Sequence, residues 1–179
     1  MKSLSLGIAL AAAAAGCAGT LAYPGTTEYR KAQGYDARRP VDVAVLAPSG
    51  SLPEGAGEAL REALRDRLRA LRYAPVRSRA VDEAPGEFRP GGANAVLEVI
   101  VTKWDMGAIW GDGTLRASGE VRLYGSGSTE VLYRAILTDV VVRASFVARR
   151  MEDRPRTVGQ AAAELAERLL EQLPAKGDG

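Results

Sequence analysis

The chain has 179 residues, with 24 Lys plus Arg against 22 Asp plus Glu and a formal charge of +2. Charge of both signs is spread along the chain rather than gathered in a tail or tract, which argues against a nucleic-acid partner. One cysteine and no histidine exclude internal disulfides, Cys/His zinc sites and any triad or general base built on imidazole, so no cofactor or metal is expected.

The chain opens with Met1-Lys2-Ser3, an apolar run from Leu4 to Ala15, then Gly16-Cys17. A charged start, a short hydrophobic stretch and small residues at its end are the order of a secretory signal. A membrane-spanning helix needs about 20 apolar residues, and this run is too short. Ala14-Ala15-Gly16-Cys17 resembles the lipobox of bacterial lipoproteins, although family versions favour leucine where Ala14 stands. The resemblance implies that residues 1–16 are a leader and that the Cys17 thiol takes a diacylglyceryl group before cleavage. The alternative is ordinary cleavage after Ala13-Ala14-Ala15, releasing a soluble protein. That would leave a free thiol in an oxidising compartment, so lipidation accounts for the lone cysteine better. Each buried methylene contributes about 0.8 kcal/mol, so a two- or three-chain anchor is lasting. Ala18 stands where an aspartate would resemble an inner-membrane retention signal. By that analogy the expected location is the outer membrane, facing the periplasm.

Removing the leader leaves 179 − 16 = 163 residues, about one domain. Residues 17–40 lack helical or strand periodicity and read as a lipid-anchored tether, with Tyr23, Tyr29 and Tyr35 loosely packed. A single domain is expected over 41–174, followed by a disordered tail over 175–179. Val41 to Leu46 predicts a buried strand that turns at Ala47-Pro48-Ser49-Gly50. Glu54 to Arg72 predicts a helix, because Leu60, Leu64, Leu68 and Leu71 form one apolar stripe. Arg61, Arg65, Arg69 and Arg72 alternate with Glu58, Glu62 and Asp66 and read as a solvated, mixed-sign face. Ala74 to Arg79 suggests a short second strand. A long polar connection follows to Asn94, with Pro85, Pro90 and Gly91-Gly92.

Ala95 to Asp105 predicts a central strand, with Leu97, Val99 and Val101 on one face and Val96, Ile100 and Trp104 on the other. Leu115 to Tyr124 alternates, placing Leu115, Ala117, Gly119, Val121 and Leu123 inward and Arg116, Ser118, Glu120 and Arg122 outward. The turn Gly125 to Thr129 and the strand Glu130 to Arg143 complete an antiparallel meander. A last helix is predicted over Thr157 to Leu173, with Thr157 as N-cap and Pro174 as its stop. The expected fold is α+β: a mixed sheet with a C-terminal antiparallel meander and two helices packed on it, and with parallel pairing around the first helix.

Val43-Ala44-Val45-Leu46-Ala47-Pro48 before a helix, Ala93-Asn94-Ala95-Val96-Leu97 leading a strand that reaches Trp104, and Glu130-Val131-Leu132-Tyr133 after a turn form a series. Together with the lipobox, this series resembles Gram-negative outer-membrane lipoproteins whose domain is similar to the TolB amino-terminal domain. That broad group includes the curli secretion lipoprotein and the activator lipoproteins of penicillin-binding proteins. Tyr133 departs from the usual tryptophan, and Gly125 to Thr129 replaces an aspartate-rich turn. The resemblance implies work through protein contacts in envelope assembly or export, with the membrane as partner through lipid on Cys17 and an envelope protein as the second partner. It implies no catalytic residue.

Trp104 and Trp110 bracket Met106-Gly107-Ala108-Ile109, an apolar turn closed by Gly111-Asp112-Gly113. Exposed, that turn suits a partner interface; the alternative is that it folds back onto the core. Asp105 and Asp112 flank it and define the hydrolase alternative, although aspartates beside glycine are common in turns for backbone reasons. Phe146, Arg149 and Arg150 beyond the last strand are left unassigned. The expectation is a non-enzymatic accessory lipoprotein; the rivals are an activator of a cell-wall synthase and an Asp-based hydrolase.

Overall fold

The apolar alternation along the three longest strands sets the architecture, since each strand must lay its buried set on one side of a pleated surface. The computed structural model describes residues 25–145 and 150–176; the expected leader, Cys17, Tyr23, Phe146 and Arg149 lie outside the described residues. The strands are β1 (Thr26–Lys31), β2 (Asp42–Val45), β3 (Ser49–Gly50), β4 (Ala74–Pro75), β5 (Ala95–Asp105), β6 (Thr114–Tyr124) and β7 (Val131–Arg143). The helices are α1 (Tyr35–Arg38), α2 (Ala56–Ala70), α3 (Ser78–Glu83) and α4 (Arg154–Leu169). One sheet runs in the order β1-β7-β6-β5-β2-β4, with β3 also alongside β5. β5, β6 and β7 form the antiparallel meander, and β2 pairs in parallel with β4 and β5.

α2 and α4 cover one side of this sheet. Leu60, Leu64 and Leu68 from α2 join Ala161, Leu165 and Leu169 from α4 over Leu97, Val99, Val101, Val121 and Leu123. Each fully buried Leu or Val stabilises the fold by about 1.5–3 kcal/mol. The fold class read from the sequence, α+β with a mixed sheet, is the one observed.

The expected tether is shorter than the sequence suggests. From Thr26 to Lys31 the chain is β1, antiparallel to β7, with Thr26 opposite Thr138 and Lys31 opposite Tyr133. Tyr29 donates its hydroxyl to the Arg168 carbonyl (3.1 Å) and to Glu171 (2.8 Å), while buried Tyr35 shares a 2.7 Å hydrogen bond with Tyr73. These tyrosines are docked, not loose. An edge strand with alternating Thr, Tyr and charged residues carries too little apolar signal to be read as a strand. The tail is likewise held at its start: Arg39 donates to the Ala175 carbonyl (2.7 Å), and the Lys176 amide donates to the Leu71 carbonyl (2.8 Å).

Three further expectations change. The expected second strand over Ala74 to Arg79 is only Ala74–Pro75; α3 begins at Ser78, runs into the polar connection and covers Arg61 and Arg65, so this part of α2 is buried rather than solvated. Arg61 is 2% exposed and donates to the Val45 carbonyl (3.0 Å) and to Asp82 (2.9 Å). α4 begins at Arg154, after a 3-10 turn over Met151–Asp153, so Thr157 lies buried inside the helix rather than at its N-cap. Pro155 in the first turn suits that earlier start. Finally, the register of β5 shifts between Val101 and Lys103. This bulge turns Trp104 onto the helix-covered side, opposite Ala117, instead of the face it would share with Ile100.

The other side of the sheet carries charge. Asp139, at a positive φ of 52°, receives Lys103 and Arg116, each at 2.7 Å, and ties three strands together. Glu120 lies between Arg122 (2.6 Å) and Arg134 (2.5 Å). The hydrogen-bonded Arg122 guanidinium holds the Glu120 carboxyl below its usual range, and Lys103 does the same for Asp139. Burial raises Tyr35 and Tyr133, and burial with the Glu171 bond pushes Tyr29 up to about 12.

Lowered carboxylates contribute stability above their unfolded pKa values and lose it as pH falls through the folded ones. Raised tyrosines contribute below about pH 10 and lose it as pH rises further. With no histidine between these limbs, thermal melts should give a flat midpoint from about pH 5.5 to 9, falling on both sides. A midpoint that moves strongly between about pH 6 and 8 would contradict this assignment. Arg61→Ala should cost about 2–3 kcal/mol in chemical denaturation, because it strips a buried bond to Val45 and opens space beneath α3. Asp82→Asn, at the exposed end of the same pair, should cost less.

Candidate functional site

The turn from β5 to β6 is built from the backbone outward. Ile109, fully buried, pins it to the core. Its amide donates to the Met106 carbonyl (3.1 Å), and the amides of Gly111 and Asp112 both donate to the Ala108 carbonyl (3.0 Å). The two aspartates close the turn. Asp105 accepts the Gly107 amide at 2.9 Å; Asp112 accepts the Thr114 amide at 2.8 Å and its hydroxyl at 2.5 Å. Those Thr114 bonds hold the Asp112 carboxyl below its usual range, the reverse of what a proton donor needs.

The two tryptophans part company here. Trp104 packs on the core, with its indole Nε1 buried and without a partner among the described residues. Trp110 is half-buried, and the Arg154 guanidinium stands 4.7 Å from its ring centroid. Beside it lies a cavity of about 420 Å³, lined mainly by Pro53, Ala59, Met106, Trp110, Met151 and Val158. Glu54 and Arg154 stand among the same lining residues. Met151 is 69% exposed, an unusual position for a large apolar side chain. The groove is thus an apolar, open surface assembled from the starts of α2 and α4 and the tryptophan turn.

A second cavity, about 580 Å³ and more polar, lies by the starts of β2 and β5, with Arg38, Asp42, Asn94, Ser126 and Ser128 in its lining. Arg38 there is engaged by Glu130 and by the Gln33 carbonyl. Among the described residues no cluster of His, Cys, Asp or Glu could hold a metal ion, and no helix is long and apolar enough to cross a membrane. The arrangement offers apolar contact and adaptable methionines, not a reacting pair.

Compared by sequence, the chain matches no family model and no curated protein. Compared by structure, it superposes on the PelC dodecamer subunit from Paraburkholderia phytofirmans, with a TM-score of 0.52 and 18% identity, over 85% of this chain and 99% of that one. Its fold is similar to that of PelC. Lipoprotein GNA1162 from Neisseria meningitidis matches 71% of this chain and 97% of its own at 16% identity, with a TM-score of 0.44. At 18% identity the likeness to PelC concerns the fold alone.

Of the sequence-level candidates, Trp110 reaches the groove, Trp104 packs on the core and is not in the groove lining, and Cys17 lies outside the described residues. Met151 and Pro155 were not legible as site residues: a single methionine between charged neighbours after a strand has no periodicity to mark it. Ile109→Ala should lower stability by about 2–4 kcal/mol through the cavity it leaves. Met151→Ser should stay within about 0.5 kcal/mol in the same denaturation assay. A large loss for Met151→Ser would mean that the groove is part of the core rather than a surface.

Proposed function

We propose that this chain is a lipid-anchored accessory protein of the bacterial outer membrane, facing the periplasm and acting through protein contacts in envelope assembly or export. The observation that carries it is the lone cysteine at the end of a leader-like stretch, 25 − 17 = 8 residues ahead of Gly25, which lies against the β7 backbone. The PelC-like fold supports the reading, and the kinship with TolB-like lipoproteins remains part of it. Because PelC is solved as a dodecamer, self-association belongs to the proposal as well.

Action by contact rather than catalysis is supported by the spending of Asp105 and Asp112 on turn backbone. Activation of a cell-wall synthase has less support than an adaptor role near the anchor. Eight residues reach no more than about 29 Å even when extended, so the domain stays close to the surface that holds it.

The test is cell fractionation with mass spectrometry of the amino-terminal peptide. Wild type is expected in the membrane fraction with a diacylglyceryl-modified Cys17, and Cys17→Ser is expected in the soluble fraction. An unmodified cysteine, or unchanged fractionation of the variant, would sink the reading. Affinity purification from detergent-solubilised envelopes should then recover further copies of the chain together with an export or assembly protein.

A further inference from the structure

The two edges of the sheet are unlike. β4, at one edge, is only Ala74–Pro75, and Pro75 has no N–H to offer a neighbour. β1, at the other, is six residues long, and no described strand pairs with its outer side. The Ala32 amide donates to the Leu132 carbonyl. In this antiparallel ladder the backbone groups of Glu28 and Arg30 therefore point to β7, and those of Thr27, Tyr29 and Lys31 point outward. Charge usually blunts such an edge. Here the charges are of both signs: Glu28 and Arg30, with side chains 63% and 71% exposed, stand on the same face as Glu120 and Arg122. On its inner side Arg30 lies opposite Arg134, a like charge.

We infer that β1 is a contact between two copies of this chain, paired antiparallel about a two-fold axis at Tyr29. That register sets Tyr29 against Tyr29 of the second copy and Thr27 against its Lys31, so the outward groups meet in about six hydrogen bonds. It also sets Glu28 against Arg30 of the second copy, twice by symmetry, and gives each Arg30 an acidic neighbour that offsets Arg134. An axis at Glu28 or at Arg30 would oppose like charges. An axis at Thr27 or at Lys31 would shorten the ladder and lose both ion pairs. Because β4 is too short to receive β1, both copies use the same edge, and the contact joins two of them. The contact is small, and copies held on one membrane meet at raised effective concentration, so the inference rests on the lipid-anchored, self-associating reading.

The test expresses the full chain with Thr27→Cys and Lys31→Cys together and treats intact cells with a short, permeant bismaleimide. Opposed positions lie about 5.5 Å apart across such a pair, whereas the same position in the two copies is about 14 Å apart along the strands. The double substitution is expected to give a crosslinked dimer. Either substitution alone should give little, which also controls for Cys17, the one native cysteine. In the double-cysteine chain, Glu28→Arg or Arg30→Glu should lower the dimer yield about tenfold, because two attractive pairs become repulsive. Combining the two reversals restores opposite charges and should return the yield to its starting level, a recovery that damage to the fold would not give. Absence of dimer from the double-cysteine chain, or a yield that the charge reversals leave unchanged, would overturn the inference. Failure of the anchor reading shows elsewhere, as an unmodified Cys17. Copies recovered by affinity purification without this crosslink would leave self-association standing and remove β1 from it.

Discussion

Everything in this molecule depends on the backbone ladder joining β5, β6 and β7. Once those strands are paired in register, the pleat forces Leu115, Ala117, Val121 and Leu123 to one side and Arg116, Glu120 and Arg122 to the other. The apolar side has to be covered, and α2 and α4 are the only long helices among the described residues available to cover it. The charged side has to be solvated or internally paired. The clusters at Asp139 and Glu120 pair it across strands without burying it.

Periodicity made the ladder and the helices legible, since a period near two or near 3.6 is a property of the sequence itself. β5 is predicted with the bounds it has, and β6 and β7 within a residue. What escaped was structure held by few, polar or non-local groups. β1 is an edge strand whose inward side chains include Thr27 and Tyr29, and only its pairing with β7 makes it a strand. α3 is six residues long and is fixed by arginines from α2, a relation invisible before the two are folded together. The face of Trp104 was misjudged because a bulge breaks the alternation that reading along a strand assumes.

The same division holds for the site. Trp110 could be picked out as a large aromatic in a glycine-rich turn, but its neighbours in the groove come from three separate stretches of chain. Arg61 and Arg65 went the other way: their even spacing looked like a solvated face, yet burial beneath α3 makes them structural. Charge spacing alone does not say whether a helix face is wet; that depends on what the following segment does.

The six-pair ladder between β1 and β7 has a mechanical meaning. A tug directed along the axis of β1 would load the hydrogen bonds of the ladder side by side in shear rather than open them one at a time like a zip. Tyr29 adds a cross-tie from the middle of that strand to the last turn of α4. Held by its amino terminus, the domain would take strain along β1 without unravelling from that end, and the load would pass into the sheet rather than into the groove.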